Sequence, residues 1–214
     1  MEKDAMNKRI DLSAGTLLSP LPAVMVSVGD MENSNIITVA WTGILSSRPA
    51  RTYVSVRPSR YSHAIIKERG EFVINLTTEA LARATDFAGI YTGAKVDKFK
   101  KLGLTKCESK CVSAPTIGEA PLALECRVVE VLEMGTHDVF IADIVNVSCD
   151  ERIMNEDGRM ALERAGLIAY MHGEYYTLGK KLGNFGFSAA KRKKKSAPVS
   201  KKSPSGAKSG ASEK

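Results

Sequence analysis

The chain has 214 residues, 43% of them hydrophobic, and a formal net charge of +7. That length and apolar content suit one globular domain, and no apolar run approaches the ~20 residues a membrane helix needs. The charge is concentrated: residues 191–214 hold nine Lys/Arg against one Glu, leaving 22 basic and 23 acidic residues elsewhere, which argues against a basic nucleic-acid surface on the fold itself.

In chain order, a Pro-punctuated entry (Pro20, Pro22) leads into PAVMVSV, residues 22–28, a short apolar strand. After a polar turn, Ile36 to Trp41 reads as a second strand, rich in β-branched residues. Ser46 to Arg51 is a loop around Pro49, and Thr52 to Val56 is a third strand. Tyr61 to Arg69 predicts a helix stopped by Gly70, and Glu71 to Leu76 a fourth strand. Thr77 or Thr78 is placed to cap a helix running to about Gly89, with Glu79 in its first turn. Residues 90–111 are irregular and polar. The clearest β signal follows: 122–132 and 139–147 alternate around the turn Met134 to Asp138 and predict a hairpin. Beyond a polar connection over 150–160, Leu167 to Tyr170 and Tyr175 to Leu178 read as final strands joined at His172-Gly173. A glycine-rich end, 179–187, completes the domain. Short strands, few helices and no βαβ alternation predict a mainly β fold, an antiparallel barrel or sandwich with accessory helices.

Residues 1–188 are expected to form the domain and 189–214 a disordered basic tail. The tail has one Val as its only large apolar residue, too little to offset the entropy of ordering. It reads as a solubilising extension or as a non-specific, salt-sensitive contact to nucleic acid or another acidic surface. The polar N-terminus shows no signal peptide, so the expectation is a cytoplasmic protein with reduced thiols. Cys107 and Cys111 are spaced C-x-x-x-C, but no second pair and no nearby His completes a metal set.

Three stretches carry candidate chemistry. In SVRPSRYSH, residues 55–63, Pro58 ends a strand and a helix begins nearby. Helix-start N–H groups, the Ser59 and Ser62 hydroxyls, and the Arg57 and Arg60 guanidinium groups together suit a phosphate. The bland alternative is a capped surface helix with two solvated arginines. In Asn35 to Trp41, the single tryptophan is either core or, with Thr38 and Thr42 nearby, part of a wall for a flat aromatic ligand. Asp97-Lys98-Phe99 is either an N-cap, a surface lysine and a buried anchor, or a segment that brings the Lys98 ammonium to an anionic or carbonyl-bearing ligand. His137, in the hairpin turn, is solvent-facing or near an active site.

Taken together, NIITVAWTG, SVRPSRYSH, FVIN, TGAKVDKF, APLALECRV, THDVFIADI and YYTLGKKLGNFGFS stand in an order that resembles the flavin reductase-like family with an FMN-binding split barrel, its flavoredoxin branch above all. The resemblance covers about residues 15–188. It implies a six-stranded antiparallel Greek-key split barrel with packed helices, a homodimer, and a flavin near the subunit interface. Carried over residue by residue, Asn35 and Trp41 match positions beside the isoalloxazine, and Thr38, Val39, Ala40 and Thr42 would line the ring. Arg57, Ser62 and His63 match the phosphate end, where relatives often have Thr in place of Ser62. Lys98 matches the lysine of a DKF motif near the flavin. His137 matches a turn histidine at the flavin's open face and is the one catalytic candidate, although GTHD here replaces the family's GDH. Arg48 stands where relatives often show a second proline.

The activity implied is that of an FMN-dependent oxidoreductase. The flavin supplies redox chemistry, and the protein binds and orients it. Electrons would come from NADH, NADPH or a redox protein and pass to free flavin, ferric iron or another carrier. A flavoredoxin-type carrier without a nicotinamide site is the neighbouring reading. A reading of another class is a β-barrel binding module without redox activity, its tail on nucleic acid.

Overall fold

In the computed structural model, which describes residues 9–189, the first apolar run becomes the middle of the main sheet. β1 is Leu21–Pro22 and β2 is Val24–Gly29. Every residue of β2 is buried, which explains why its sequence does not alternate: both faces of the strand are covered. β3 (Ser34–Val39) pairs with β2 from one side and β6 (Glu71–Leu76) from the other. Between them come β4 (Thr42–Ser47), β5 (Ala50–Val56) and helix α1 (Tyr61–Arg69). Gly70 ends α1 with φ +68°, and its N–H bonds to the Ile66 carbonyl, as its glycine predicts.

The main sheet is antiparallel, with seven strands in the order β3-β2-β6-β9-β10-β5-β4, where β9 is Leu122–Glu133 and β10 is Asp138–Cys149. Six strands were expected; β4 accounts for the difference. Its Ser-rich end and Pro49 look like loop, yet it forms a hairpin with β5 as an edge strand, where such residues are tolerated. The barrel is not closed. The end strands β3 and β4 do not pair with each other, and the Ser55 N–H bond to the Trp41 carbonyl (2.9 Å) continues the β4–β5 ladder by one rung.

Inside the curl, Val24, Val26 and Val28 pack with Val54, Val56, Ile66, Phe72, Ile74 and Phe140. Phe72 and Phe140 have no exposed surface, and truncating either to Ala would cost about 3–5 kcal/mol. A second cluster covers the outside of β2 and β3, where Met25 and Ile36 meet Leu81, Ala88 and Phe99. Ala88 belongs to α2 (Ala82–Ile90) and Phe99 to α3 (Lys98–Leu102). A 3-10 turn, Glu79–Leu81, precedes α2, and Thr78 at its start makes no side-chain cap bond; the Thr77 hydroxyl goes instead to the Ala23 carbonyl. α3 falls in the stretch read as irregular, but Asp97 caps it by accepting from the Lys100 N–H (3.1 Å).

Two short strands, β7 (Lys106–Cys107) and β8 (Thr116–Ile117), pair beneath the loop carrying Cys111. That loop is held by the buried Glu125 carboxylate, which accepts from the N–H groups of Lys110 (3.0 Å) and Cys111 (2.6 Å) and from the Asn146 amide (2.8 Å). The four cysteines are free thiols, and burial pushes Cys126 up to about 12. β11 (Ile168–Met171) and β12 (Glu174–Thr177) form a hairpin that joins β1 in a separate three-stranded sheet. Residues 180–189 form turns of their own, with the Phe187 N–H bonded to the Asn184 carbonyl. From residue 190 the expected tail lies outside the described residues. Among those described, no helix is long and apolar enough to cross a membrane.

Candidate functional site

Where β3 parts from the closed side of the sheet, a cleft of about 440 Å³ opens between β3, the end of β5, α2 and the β11–β12 hairpin. Thr38, Val39, Ala40, Trp41, Arg57 and His137 all line it. A smaller lobe of about 70 Å³ adjoins it at Ile37, Arg60 and Gly89, and Asn35, Ser62 and Lys98 line that lobe. Of the eleven candidate residues, only Thr42 and His63 line neither space. The Thr42 hydroxyl donates to the Tyr53 carbonyl (2.5 Å), and the His63 ring is turned to Asp138.

The wide end is aromatic. Trp41 leaves β3 with about a third of its surface exposed, and His137 stands against it, ring centroids 4.6 Å apart and planes inclined at 39°. The His137 Nδ1 and the Thr136 hydroxyl are 2.9 Å apart. Burial, and then the Arg57 charge, hold His137 below the ordinary histidine range, so its imidazole is neutral at neutral pH. Thr38 donates its hydroxyl to the Thr85 carbonyl and so fixes β3 against α2.

The narrow end is polar. α1 follows an N-cap, Arg60, that gives no side-chain bond, and has no acidic residue in its first turn; the His63 N–H bonds to the Arg60 carbonyl (2.9 Å), and those of Tyr61 and Ser62 face no cap. Ser59 and Ser62, placed by the sequence to cap the helix, do not do so. Ser62 is buried and accepts from the Asn35 amide (2.8 Å). Gly93 lies against that amide so closely that an added Cβ would sit 2.3–2.6 Å from it, and no other residue fits there. The Lys98 ammonium donates to the carbonyls of Ile36 (2.6 Å) and Ala88 (2.7 Å), tying α3 to β3 and α2. Burial, reinforced by Arg60, brings it down to about 8. Arg60 borders both spaces, and its guanidinium reaches the Gly89 carbonyl at 3.4 Å.

Three wall residues were not singled out from sequence: Asp86 on α2, and Tyr170 and Tyr175 on the hairpin. The two tyrosines face each other edge to face, centroids 5.5 Å apart. Burial and the Asp86 carboxylate push the Tyr175 phenol up to about 12. The signal was present: a turn at His172-Gly173 places residues 170 and 175 opposite each other, on one face of the hairpin.

An open antiparallel barrel with an aromatic slot at one end and a cationic helix start without a side-chain cap at the other has the shape and charge that suit a flat aromatic ligand bearing an anionic group. The comparisons give that class its family. Residues 17–179 match the flavin reductase like domain. The flavoredoxin of Desulfovibrio vulgaris (Miyazaki F) is 36% identical, with a TM-score of 0.79 over 86% of this chain and 100% of that one. The flavoredoxin of Methanosarcina acetivorans is 25% identical, with a TM-score of 0.78 over the same shares. An uncharacterized protein of Archaeoglobus fulgidus is 41% identical over 160 residues, 75% of this chain and 89% of its own. The chain belongs to the flavin reductase-like split-barrel family, in its flavoredoxin branch, and is by that membership a flavin oxidoreductase.

Proposed function

We propose that the protein binds FMN and works as an FMN-dependent oxidoreductase, fed by NADH or NADPH. The observation that carries this is the continuity of the cleft from the Trp41–His137 pair to the lobe at the start of α1. That lobe, about 70 Å³, is small beside the cleft and suits a phosphate, and Asn35 and Ser62, bonded to each other, line it. A monophosphate suits it better than a dinucleotide. The residues present fit the group: Arg60 and the first N–H groups of α1 would hold the phosphate in the lobe, and Thr38 to Trp41 the ring, with Arg57 in the cleft beside His137.

Bound FMN supplies hydride and electron transfer. The chain binds, orients and shields it. Trp41 offers an apolar face, and neutral His137 offers a hydrogen-bonding nitrogen without a second charge beside Arg57. Lys98 organises the walls with two of its three ammonium protons, which go to carbonyls, and the third is left for the lobe it lines.

We further propose a homodimer. Ile44 and Leu45 on the edge strand β4 are 68% and 51% exposed, and Val129, Leu132 and Met134 at the long hairpin add apolar surface. Light scattering should give twice the chain mass; a monomer overturns this part.

Purified protein should be yellow and release FMN on denaturation; colourless protein that takes up no added FMN overturns the reading. Stopped-flow mixing with NADH or NADPH should bleach the bound flavin. Failure with both nucleotides would favour a carrier reduced by another redox protein, in keeping with the flavoredoxin relatives.

A further inference from the structure

The residues that touch the cleft do not by themselves explain how its two ends are kept in register. The narrow end rests on the arc Val56–His63, which leaves β5, turns at Pro58 and enters α1. Within the arc, the Arg60 N–H donates to the Arg57 carbonyl (3.0 Å) and the His63 N–H to the Arg60 carbonyl (2.9 Å). Those bonds curl the arc but do not anchor it. The Asn35 amide holds Ser62 from β3 (2.8 Å), and the anchor on the side of β5 and β10 is Asp138. Its main chain pairs with Val56, where the arc begins. Its carboxylate receives the Nε2–H of His63, where the arc ends, at 2.7 Å. Both side chains are buried, at 8% and 7% exposure, and Phe140 meets the imidazole edge to face, centroids 5.2 Å apart at 66°. The residue before Asp138 is His137, which stands against Trp41 at the wide end.

We infer that His63 and Asp138 are a positioning pair: one buried hydrogen bond closes the phosphate-facing arc and sets it against the hairpin turn that carries His137. Neither residue touches the ligand. Resting on the flavin reading, the inference deepens it by giving His63 a role one step behind the site. A buried imidazole–carboxylate bond suits this task. It is directional, it is protected from competing water, and it loses much if either partner is removed.

The test compares FMN with riboflavin, which has the same ring and no phosphate. Removing His63 alone would strand a buried carboxylate, so His63→Ala is made in an Asp138→Asn background. Asp138→Asn alone keeps an acceptor for the imidazole and should hold FMN within about threefold of wild type. The double variant should bind FMN about tenfold or more weakly, the loss of one charge-assisted bond to the phosphate, with riboflavin affinity changed less than about twofold. Parallel weakening of both flavins marks a merely structural pair and overturns the inference, as does an unchanged FMN affinity.

Amide hydrogen exchange without ligand gives a second reading that survives poor flavin binding. His63→Gln, which keeps a donor, should leave protection over residues 57–62 as in wild type, and His63→Ala in the Asp138→Asn background should lose it there while β2 and β6 stay protected. Equal loss in both variants, or loss spread over β2 and β6, overturns the inference. Wild-type protein that binds neither flavin overturns the flavin reading, and this inference with it.

Discussion

The Trp41 indole and the His137 imidazole lie 4.6 Å apart, inclined by 39°, although 96 positions separate them in the chain. They meet because Trp41 stands opposite Ser55 at the end of the β4–β5 ladder, and β10 runs beside β5, with Asp138 paired to Val56. Trp41 is the single tryptophan, so its emission reports on the cleft. FMN titration should quench it. Trp41→Ala should weaken FMN about three- to tenfold, the value of one aromatic contact, and Trp41→Phe should recover most of that. Unchanged affinity in Trp41→Ala would place the ring elsewhere.

Arg57 acts on His137 through space. After burial, its charge is the next cause holding the imidazole below the ordinary 6.5. Arg57→Met should therefore raise the His137 pKa, read by NMR titration of the ring protons. The unfolded chain takes up this proton before the folded one does, so acidification through 6.5 costs the native state stability, and Arg57→Met should reduce that cost. A pKa that stays put or falls removes Arg57 from this role.

Gly93 tests the lobe. Its left side is closed to any side chain because the Asn35 amide would lie 2.3–2.6 Å from a Cβ. Gly93→Ala must displace Asn35 and break its bond to Ser62. FMN affinity should fall about tenfold, the scale of one hydrogen bond with its desolvation cost, while riboflavin is held nearly as before. Equal affinity of wild type and Gly93→Ala for FMN would show that the lobe does not hold the phosphate.

Lys98 makes a pH-dependent contribution with a definite sign. Its folded pKa is about 8 against an ordinary 10.5. Between those values the unfolded chain binds more protons than the folded one, so this group's contribution to stability rises with pH across that window. Lys98→Met should be less stable at pH 7 by about 1–3 kcal/mol for each carbonyl left without a donor. The gap between wild type and Lys98→Met in urea should widen from pH 8 to pH 10. A gap that narrows with pH contradicts the buried ammonium.

Local pattern made α1 and its Gly70 stop legible, along with the long hairpin and the turn at His172-Gly173. These depend on neighbours in sequence, as does the Asp97 cap. β4 was obscured because an edge strand tolerates Ser and Pro and buries little. The phosphate-facing arc was visible as composition, but the Ser62 partner, Asn35, lies 27 positions away. Lys98 reads either as a surface lysine or as one brought to a ligand; it is buried and lines the lobe, and its bond to the Ile36 carbonyl spans 62 positions and follows no local rule. Asp138 received no attention at all, since its significance comes from Val56 and His63 on other elements.

The β11–β12 hairpin brings Tyr170 and Tyr175 to the cleft, yet it belongs to a sheet separate from the barrel. Its pairing with β1 spans only Leu21↔Tyr170 and Pro22↔Ala169. Losing those contacts disturbs neither core cluster. A cofactor held in the cleft would then leave when this hairpin opens, at a rate separate from that of barrel unfolding.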